Sequence, residues 1–290
     1  MPELPEVETI KLGLQRKIIG LTVKDVEVLS SKSLLGNSKT VPGKKVLEIR
    51  RFSKLLSIDL TSGISLAIHL KMTGQLIFDP STSLRASNRF IGGHPTPDMR
   101  DQMPNRATRV IFTFNDNSRL YFNDQRRFGY IKVIATKKVE LEKYIAGLGP
   151  EPLEKGFTWE ILKSNLLKHK SQPVKVALMD QTVVSGVGNI YANEACFDAN
   201  LDPRTKVQDL DDKQIKKLHS GIIKALQEGI KHGGSTRAHF VDPEGHKGYF
   251  LDYAFVYGRD KHPCKICGTV IKKVQLGGRG TYFCPTCQKG

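Results

Sequence analysis

Cys264-x2-Cys267 and Cys284-x2-Cys287 stand sixteen residues apart at the end of the chain. Thiolates at that spacing can surround one zinc ion tetrahedrally, with a β-hairpin between the two knuckles. The alternative is two redox-active CxxC pairs, but no βαβ pattern surrounds them. With four Cys ligands no coordination position is left for a catalytic water, so this zinc is a brace. It would add on the order of 10 kcal/mol of folding free energy to a segment too short for its own core. Cys196 stands alone in a helical stretch and reads as a small buried apolar residue.

A second group lies at the other end. If Met1 is removed, Pro2 becomes a secondary amine with an ordinary pKa of about 8. Such an amine can attack an electrophilic sugar carbon and form an iminium. Glu3 beside it can supply a proton, and Glu6 sits in the first helical turn, where an anion is favoured. Proline and glutamate also open ordinary helices, and composition alone favours that plain reading. Gly186-Val187-Gly188-Asn189 precedes another helix. Free N–H groups there can cradle a phosphate, and Asn189 can cap the helix or donate its amide; two glycines can equally make a plain tight turn. Arg279, in Gly277-Gly278-Arg279-Gly280, can reach a phosphate from a hairpin or be a solvated turn residue.

These groups need a scaffold. Val7, Ile10, Leu14 and Ile18 recur at helical spacing over residues 6–18. From 21 to 134 short β-type runs follow: Val23–Val28, Val46–Arg50, Leu55–Leu60, Ile64–Leu70, Arg109–Phe114 and Arg119–Phe122. They predict an antiparallel sandwich or barrel. Residues 79–108, rich in Pro, Gly, Ser, Asn and Arg, read as a long surface loop. Beyond Pro150 and Pro152 the period is helical over 158–169, 174–180, 190–198 and 211–232. The expected class is α+β. An N-terminal antiparallel β-sandwich with flanking helices spans 1–146 and a linker 147–157. A helical module spans 158–258, and the four-cysteine finger 259–290.

The 290 residues carry 45 Lys and Arg against 29 Asp and Glu, a net charge of +16. The excess is spread: 24 against 14 in residues 1–150, and 21 against 15 in 151–290. Both halves would therefore feel a polyanion such as nucleic acid, although a basic soluble protein has the same charge. No apolar run approaches the roughly 18 residues that span a bilayer. The acidic, proline-containing start is unlike a secretory signal, and clustered cysteines suit a reducing compartment.

The chain resembles bacterial formamidopyrimidine-DNA glycosylases. The likeness lies in Met1-Pro2-Glu3-Leu4-Pro5-Glu6-Val7-Glu8-Thr9, His69-Leu70-Lys71-Met72-Thr73-Gly74, Asp124-Gln125-Arg126-Arg127-Phe128-Gly129, Leu178-Met179-Asp180-Gln181 with 186–191, and the final four cysteines. These motifs occur in the family's order from residue 2 to 287. The resemblance implies a β-sandwich, a helix–two-turn–helix module and a zinc finger, with duplex DNA between the domains. It implies Pro2 as nucleophile at C1′, Glu3 as proton donor, Glu6 in the same site, and Lys54 in β-elimination. Met72, Arg126 and Phe128 would fill the gap left by a flipped-out nucleotide; without the motifs, Met72 and Phe128 would read as core. Lys170, Lys175, Asn189 and Arg279 would meet phosphates, and Arg279 would also serve δ-elimination.

The implied enzyme is a bifunctional glycosylase and apurinic/apyrimidinic lyase of base-excision repair. It would act on 8-oxoguanine and formamidopyrimidines in duplex DNA as a monomer in the bacterial cytoplasm, near the nucleoid. An endonuclease VIII-like enzyme for oxidised pyrimidines and a non-catalytic damage binder are the rivals. Ala107 stands where the family usually carries His, and the stretch 79–108 is longer than usual.

Overall fold

The structure is a computed structural model that describes residues 1–80, 89–93, 103–235 and 250–289. These fall into two units, Met1–Ala146, and Gly147–Ser235 with residues 250–289.

The first unit opens with helix α1 (Leu4–Ile18), whose Val7, Ile10, Leu14 and Ile18 are buried as their spacing requires. Ten strands follow: β1 (Val23–Val28), β2 (Leu34–Leu35), β3 (Val46–Phe52), β4 (Leu55–Leu60), β5 (Ile64–His69), β6 (Gly74–Asp79), β7 (Phe90–Gly93), β8 (Thr108–Phe114), β9 (Arg119–Asp124) and β10 (Tyr130–Ala135). They form two five-stranded sheets, in the orders β1-β8-β9-β6-β7 and β2-β10-β5-β4-β3. All pairs are antiparallel except β2 with β10. One core joins both sheets and α1, through residues such as Ile10, Leu14, Ile58, Ile68, Leu76, Val110 and Phe122.

Several strands escape the alternation rule, β4 among them, which is buried along its whole length. In β6 the run Leu76-Ile77-Phe78 is buried on both faces, because Ile77 packs with Met103, Ile111 and Tyr121 in a second small core. In β10 the outer positions are only half-buried. β7 corrects the reading of 79–108 as one surface loop: Phe90–Gly93 pairs with Gln75–Phe78. Phe90 lies so close to α1 that a Cβ on Gly13 would come within 2.2 Å of its ring. The remainder of that stretch from 81 to 88 and from 94 to 102 lies outside the described residues.

A short helix, α2 (Lys143–Ala146), ends the first unit. The second unit holds α3 (Trp159–Leu166), α4 (Val174–Leu178), α5 (Asn189–Asp198), α6 (Asp212–Lys231), α7 (Phe250–Tyr253) and the hairpin β11 (Lys272–Leu276) with β12 (Arg279–Phe283). Asp211 and Gln214 cap α6 reciprocally, each accepting the other's backbone N–H at 2.7 and 2.9 Å. α6 buries Ile215, Leu218, Ile222 and Leu226 on one face. Glu194 of α5 is buried and accepts the N–H groups of Phe255, Val256 and Tyr257 at 2.8–3.0 Å, fixing the chain that leads into the cysteine segment. Burial pushes its carboxyl above the ordinary range, against the pull of those three bonds and Lys265.

Candidate active site and nucleic-acid interface

Lys54 is the most informative residue of the first unit. It occupies the two-residue turn between β3 and β4, where Phe52 pairs with Leu55. Hairpin tips are ordinarily solvated, yet Lys54 is 3% exposed. Ser53 before it takes a left-handed φ of 56°, a strain of about 1–3 kcal/mol that persists only where the surroundings hold it. Arg51 supplies part of the hold. Its guanidinium donates to Glu8 on α1 at 2.6 Å and to the Ser53 carbonyl at 3.1 Å. Burial pushes the Glu8 carboxyl up, but hydrogen bonds from Lys11 and Arg51 outweigh it and leave Glu8 below its ordinary value.

Glu3 and Glu6 are both buried, and the Glu3 N–H donates to Glu6 Oε2 at 2.8 Å at the start of α1. Burial lowers the Lys54 pKa, and the charges of Glu3 and Glu6 act against that shift. Lys54 is thus held next to the first turn of α1, and Pro2, one residue before the N-cap Glu3, is buried, while Met1 is 48% exposed. The group also adjoins His69, which pairs with Leu55 on one side and Tyr130 on the other. Burial, reinforced by Lys71 and Lys54, lowers the His69 pKa from 6.5 to about 3. The imidazole is therefore neutral, and its Nδ1 accepts from the Lys71 N–H at 3.1 Å.

Met72 and the pair Arg126–Phe128 come from loops 51 or more residues apart. The loops meet through the Thr73 hydroxyl, which donates to the Asp124 carboxylate. Phe128 is 55% exposed, with the Arg126 guanidinium 4.8 Å above its ring, and Met72 is half-buried. An exposed Phe forgoes roughly 1.5–3 kcal/mol of burial, so core packing does not explain its place. Ala107 is buried, and its carbonyl accepts the Asp124 N–H at 2.8 Å.

In the second unit Lys175 is fully buried and donates from Nζ to Asn189 Oδ1 at 2.5 Å. Asn189 Nδ2 donates in turn to the Gly280 carbonyl at 3.2 Å. Asn193 adds a parallel link, accepting the Tyr282 N–H at 2.7 Å. Gly188, not Asn189, is the N-cap of α5, so the Asn189 amide is used on the hairpin rather than as a cap. Gln181 shapes the preceding turn, donating to the carbonyls of Met179 and Val187 and accepting from the Gly186 N–H. Gly277 and Gly278 both have positive φ, 56° and 71°, and form the tight turn that brings Arg279 opposite Leu276. A Cβ on Gly277 would lie 2.9 Å from Val176, so the turn packs on α4. Arg279 and Lys170 are exposed. Among the described residues, Lys170 takes no part in the Lys175–Asn189–Gly280 chain of hydrogen bonds.

The four sulfurs of Cys264, Cys267, Cys284 and Cys287 lie within 4.8 Å of one another. The distances Cys264–Cys287 and Cys267–Cys284 are 3.9 and 3.5 Å. A zinc tetrahedron with Zn–S of about 2.3 Å has edges of about 3.8 Å, whereas a disulfide needs about 2.05 Å. The Ile266 and Cys287 N–H groups point at Cys264 Sγ and Cys284 Sγ at 3.4 Å. The donor set fits one structural zinc.

Arg51, Glu8, His69, Thr73 and Asp124 received no role from the sequence. Each lies inside or beside a motif, and only the polar contacts reveal its use.

Comparison with known proteins settles the family. Residues 1–131 match the formamidopyrimidine-DNA glycosylase N-terminal domain, residues 148–240 its H2TH domain, and residues 261–290 the zinc finger found in FPG and IleRS. The chain belongs to the formamidopyrimidine-DNA glycosylase family. It is 40% identical over 294 residues to the formamidopyrimidine-DNA glycosylase of Pelotomaculum thermopropionicum, covering 100% of this chain and 99% of that protein. Its fold matches a mutant of the Lactococcus lactis enzyme in complex with Fapy-dG-containing DNA, at 29% identity and a TM-score of 0.85 over 100% of both chains. The Thermus thermophilus MutM (FPG) protein matches at 34% identity and a TM-score of 0.81, covering 99% of this chain and 98% of that one. The chain is thus a DNA-repair glycosylase, and its zinc-finger segment with four clustered cysteines supports one structural zinc. Among the described residues, no helix is long and apolar enough to cross a membrane.

Proposed function

We propose that the chain is a bifunctional DNA glycosylase and apurinic/apyrimidinic lyase that removes oxidised purines from duplex DNA. The observation that carries this reading is the buried Lys54 ammonium under the charges of Glu3, the residue that follows Pro2, and Glu6. Once Met1 is removed, the Pro2 nitrogen attacks C1′ and the glycosidic bond breaks, releasing the base. Glu3 gives a proton to the opening sugar ring, leaving an iminium between Pro2 and C1′. Glu6 holds the Glu3 backbone through the 2.8 Å bond and so fixes where that proton is delivered. The lowered Lys54 pKa makes a neutral amine accessible nearer to neutral pH, as proton abstraction from C2′ requires. β-Elimination then expels the 3′ phosphate. Arg279 assists δ-elimination, which expels the 5′ phosphate.

Met72, Arg126 and Phe128 occupy the stack when the damaged nucleotide is extruded, offsetting the few kcal/mol that extrusion costs. Lys170, Asn189 and Arg279 meet backbone phosphates, and Lys175 acts through Asn189, placing a positive charge under its amide. The preference for purines draws on relatives: one neighbour was solved with Fapy-dG DNA and another with abasic-site DNA. The chain acts as a monomer.

Duplexes carrying 8-oxoguanine or an oxidised pyrimidine test the proposal. The purine lesion should be excised at least about tenfold faster, a difference of about 1.4 kcal/mol in barrier, and the product should be a one-nucleotide gap with phosphate at both ends. Faster release of the pyrimidine would move the enzyme to the endonuclease VIII type, and a gap lacking one phosphate would remove δ-elimination.

A further inference from the structure

The two loops that carry Met72 and the Arg126–Phe128 pair are joined by one buried carboxylate. Asp124 ends β9 opposite Gly74 at the start of β6 and is wholly buried. Its Oδ1 accepts from the Thr73 hydroxyl and from the Arg126 N–H at 3.2 Å, and its Oδ2 accepts from the Gly129 N–H at 2.7 Å. Thr73 Oγ1 also accepts from the Arg126 N–H, at 3.0 Å. The Arg126 amide is therefore shared between its own loop and the loop of Met72. Asp124 is itself anchored at both ends of its peptide: its N–H donates to the Ala107 carbonyl at 2.8 Å, and its carbonyl accepts from Arg109 Nε at 2.9 Å.

Neither loop is relaxed. Lys71, next to Met72, and Arg127, next to Phe128, have φ values of 51° and 57°. Side-chain-bearing residues keep that conformation only where neighbouring structure imposes it. Hydrogen bonds to a carboxylate are among the strongest available for the purpose.

We propose that Asp124 and Thr73 are positioning residues for base extrusion. They hold Met72 in fixed relation to Arg126 and Phe128, so that the three side chains enter the duplex as one unit. This inference rests on the reading of those three residues as the void-filling set. A wedge must stay rigid to displace stacked bases, because loops that are ordered only on contact consume binding energy in the ordering. Removing the Thr73 hydroxyl leaves both loops on their strands but frees one to move against the other.

The test measures single-turnover excision from a lesion duplex, with affinity for undamaged duplex and thermal midpoint as controls. Asp124→Asn can fail to fold, so Thr73→Val is the principal variant and Thr73→Ser the conservative control. Met72→Ala and Phe128→Ala should each slow excision about tenfold, and the double variant should be little slower than either, as residues acting together behave. Thr73→Val should slow excision about tenfold with the midpoint moved by no more than about 3 °C and undamaged-duplex affinity unchanged. Thr73→Ser should restore the rate. In the Thr73→Val background the two alanine effects should become independent and multiply. Wild-type excision by Thr73→Val, or unchanged coupling between Met72 and Phe128 in that background, would overturn the inference while leaving the void-filling set intact. If Met72→Ala and Phe128→Ala are both silent, the void-filling reading falls and takes the inference with it.

Discussion

Cys284→Ser yields a chain without bound zinc in which residues 261–289 are open to protease, while the first unit still unfolds cooperatively. Cys284 is fully buried and its sulfur lies 3.5 Å from that of Cys267. A two-stranded hairpin is marginal by itself. The apolar support here is small: Phe197, Val256 and Ile271 are buried around the cysteines, with Phe255 and Tyr282 packed against them. Zinc binding of about 10 kcal/mol or more is therefore most of what holds β11 against β12. The damage extends beyond the finger. The Gly280 carbonyl that anchors Asn189, the Tyr282 N–H that anchors Asn193, and the turn on Val176 all belong to the hairpin. If Arg279 and Asn189 meet phosphates as proposed, loss of both contacts corresponds to about 3 kcal/mol or more, or about a hundredfold in duplex affinity. Zinc content, limited proteolysis and duplex affinity check this together. A protected, DNA-competent hairpin after complete chelation would show that packing alone suffices.

Lys54 gives the second large effect. Lys54→Ala should lower strand cleavage by about 10² to 10⁴, the usual contribution of a positioned acid–base group. Base release should fall less, because Pro2 and Glu3 remain. Treating the reaction with hot alkali cuts every abasic site and so separates the two steps. Lys54→Arg sharpens the result: it keeps the positive charge beside Glu3 and Glu6, but a guanidinium does not deprotonate near neutral pH. It should therefore be as deficient in cleavage as the alanine variant. Cleavage by Lys54→Arg at the wild-type rate would mean that Lys54 supplies charge alone.

The parts legible in the sequence are those whose signal is local. The zinc ligands announce themselves by two-residue and sixteen-residue spacings, and α1 and α6 by an apolar face. β7 was hidden because four residues rich in glycine carry no alternation, and β6 because its apolar run, Leu76-Ile77-Phe78, is only three residues long. The polar wiring is the least legible. Arg51 and Glu8 are 43 residues apart, Thr73 and Asp124 are 51 apart, and Asn189 and Gly280 are 91 apart. Contacts at such separations depend on the sheets and helices having already come together, and no spacing in the chain encodes them. Burial is equally silent. Lys54 sits in a turn and Lys175 on a short helix, positions where lysine is ordinarily solvated, yet both are inside. The motif resemblance named Lys54, Met72, Arg126 and Phe128 together, but it did not disclose the carboxylate that connects the last three.

Borohydride reduction during turnover on a lesion duplex tests the central claim most directly. An iminium between the chain and C1′ becomes a stable amine, and digestion of the crosslinked protein identifies the residue attached. The expected peptide begins at Pro2, carries the DNA on its α-nitrogen and lacks Met1. A crosslink on Lys54, or efficient excision with no trapped complex, would contradict the assignment of Pro2 as the nucleophile.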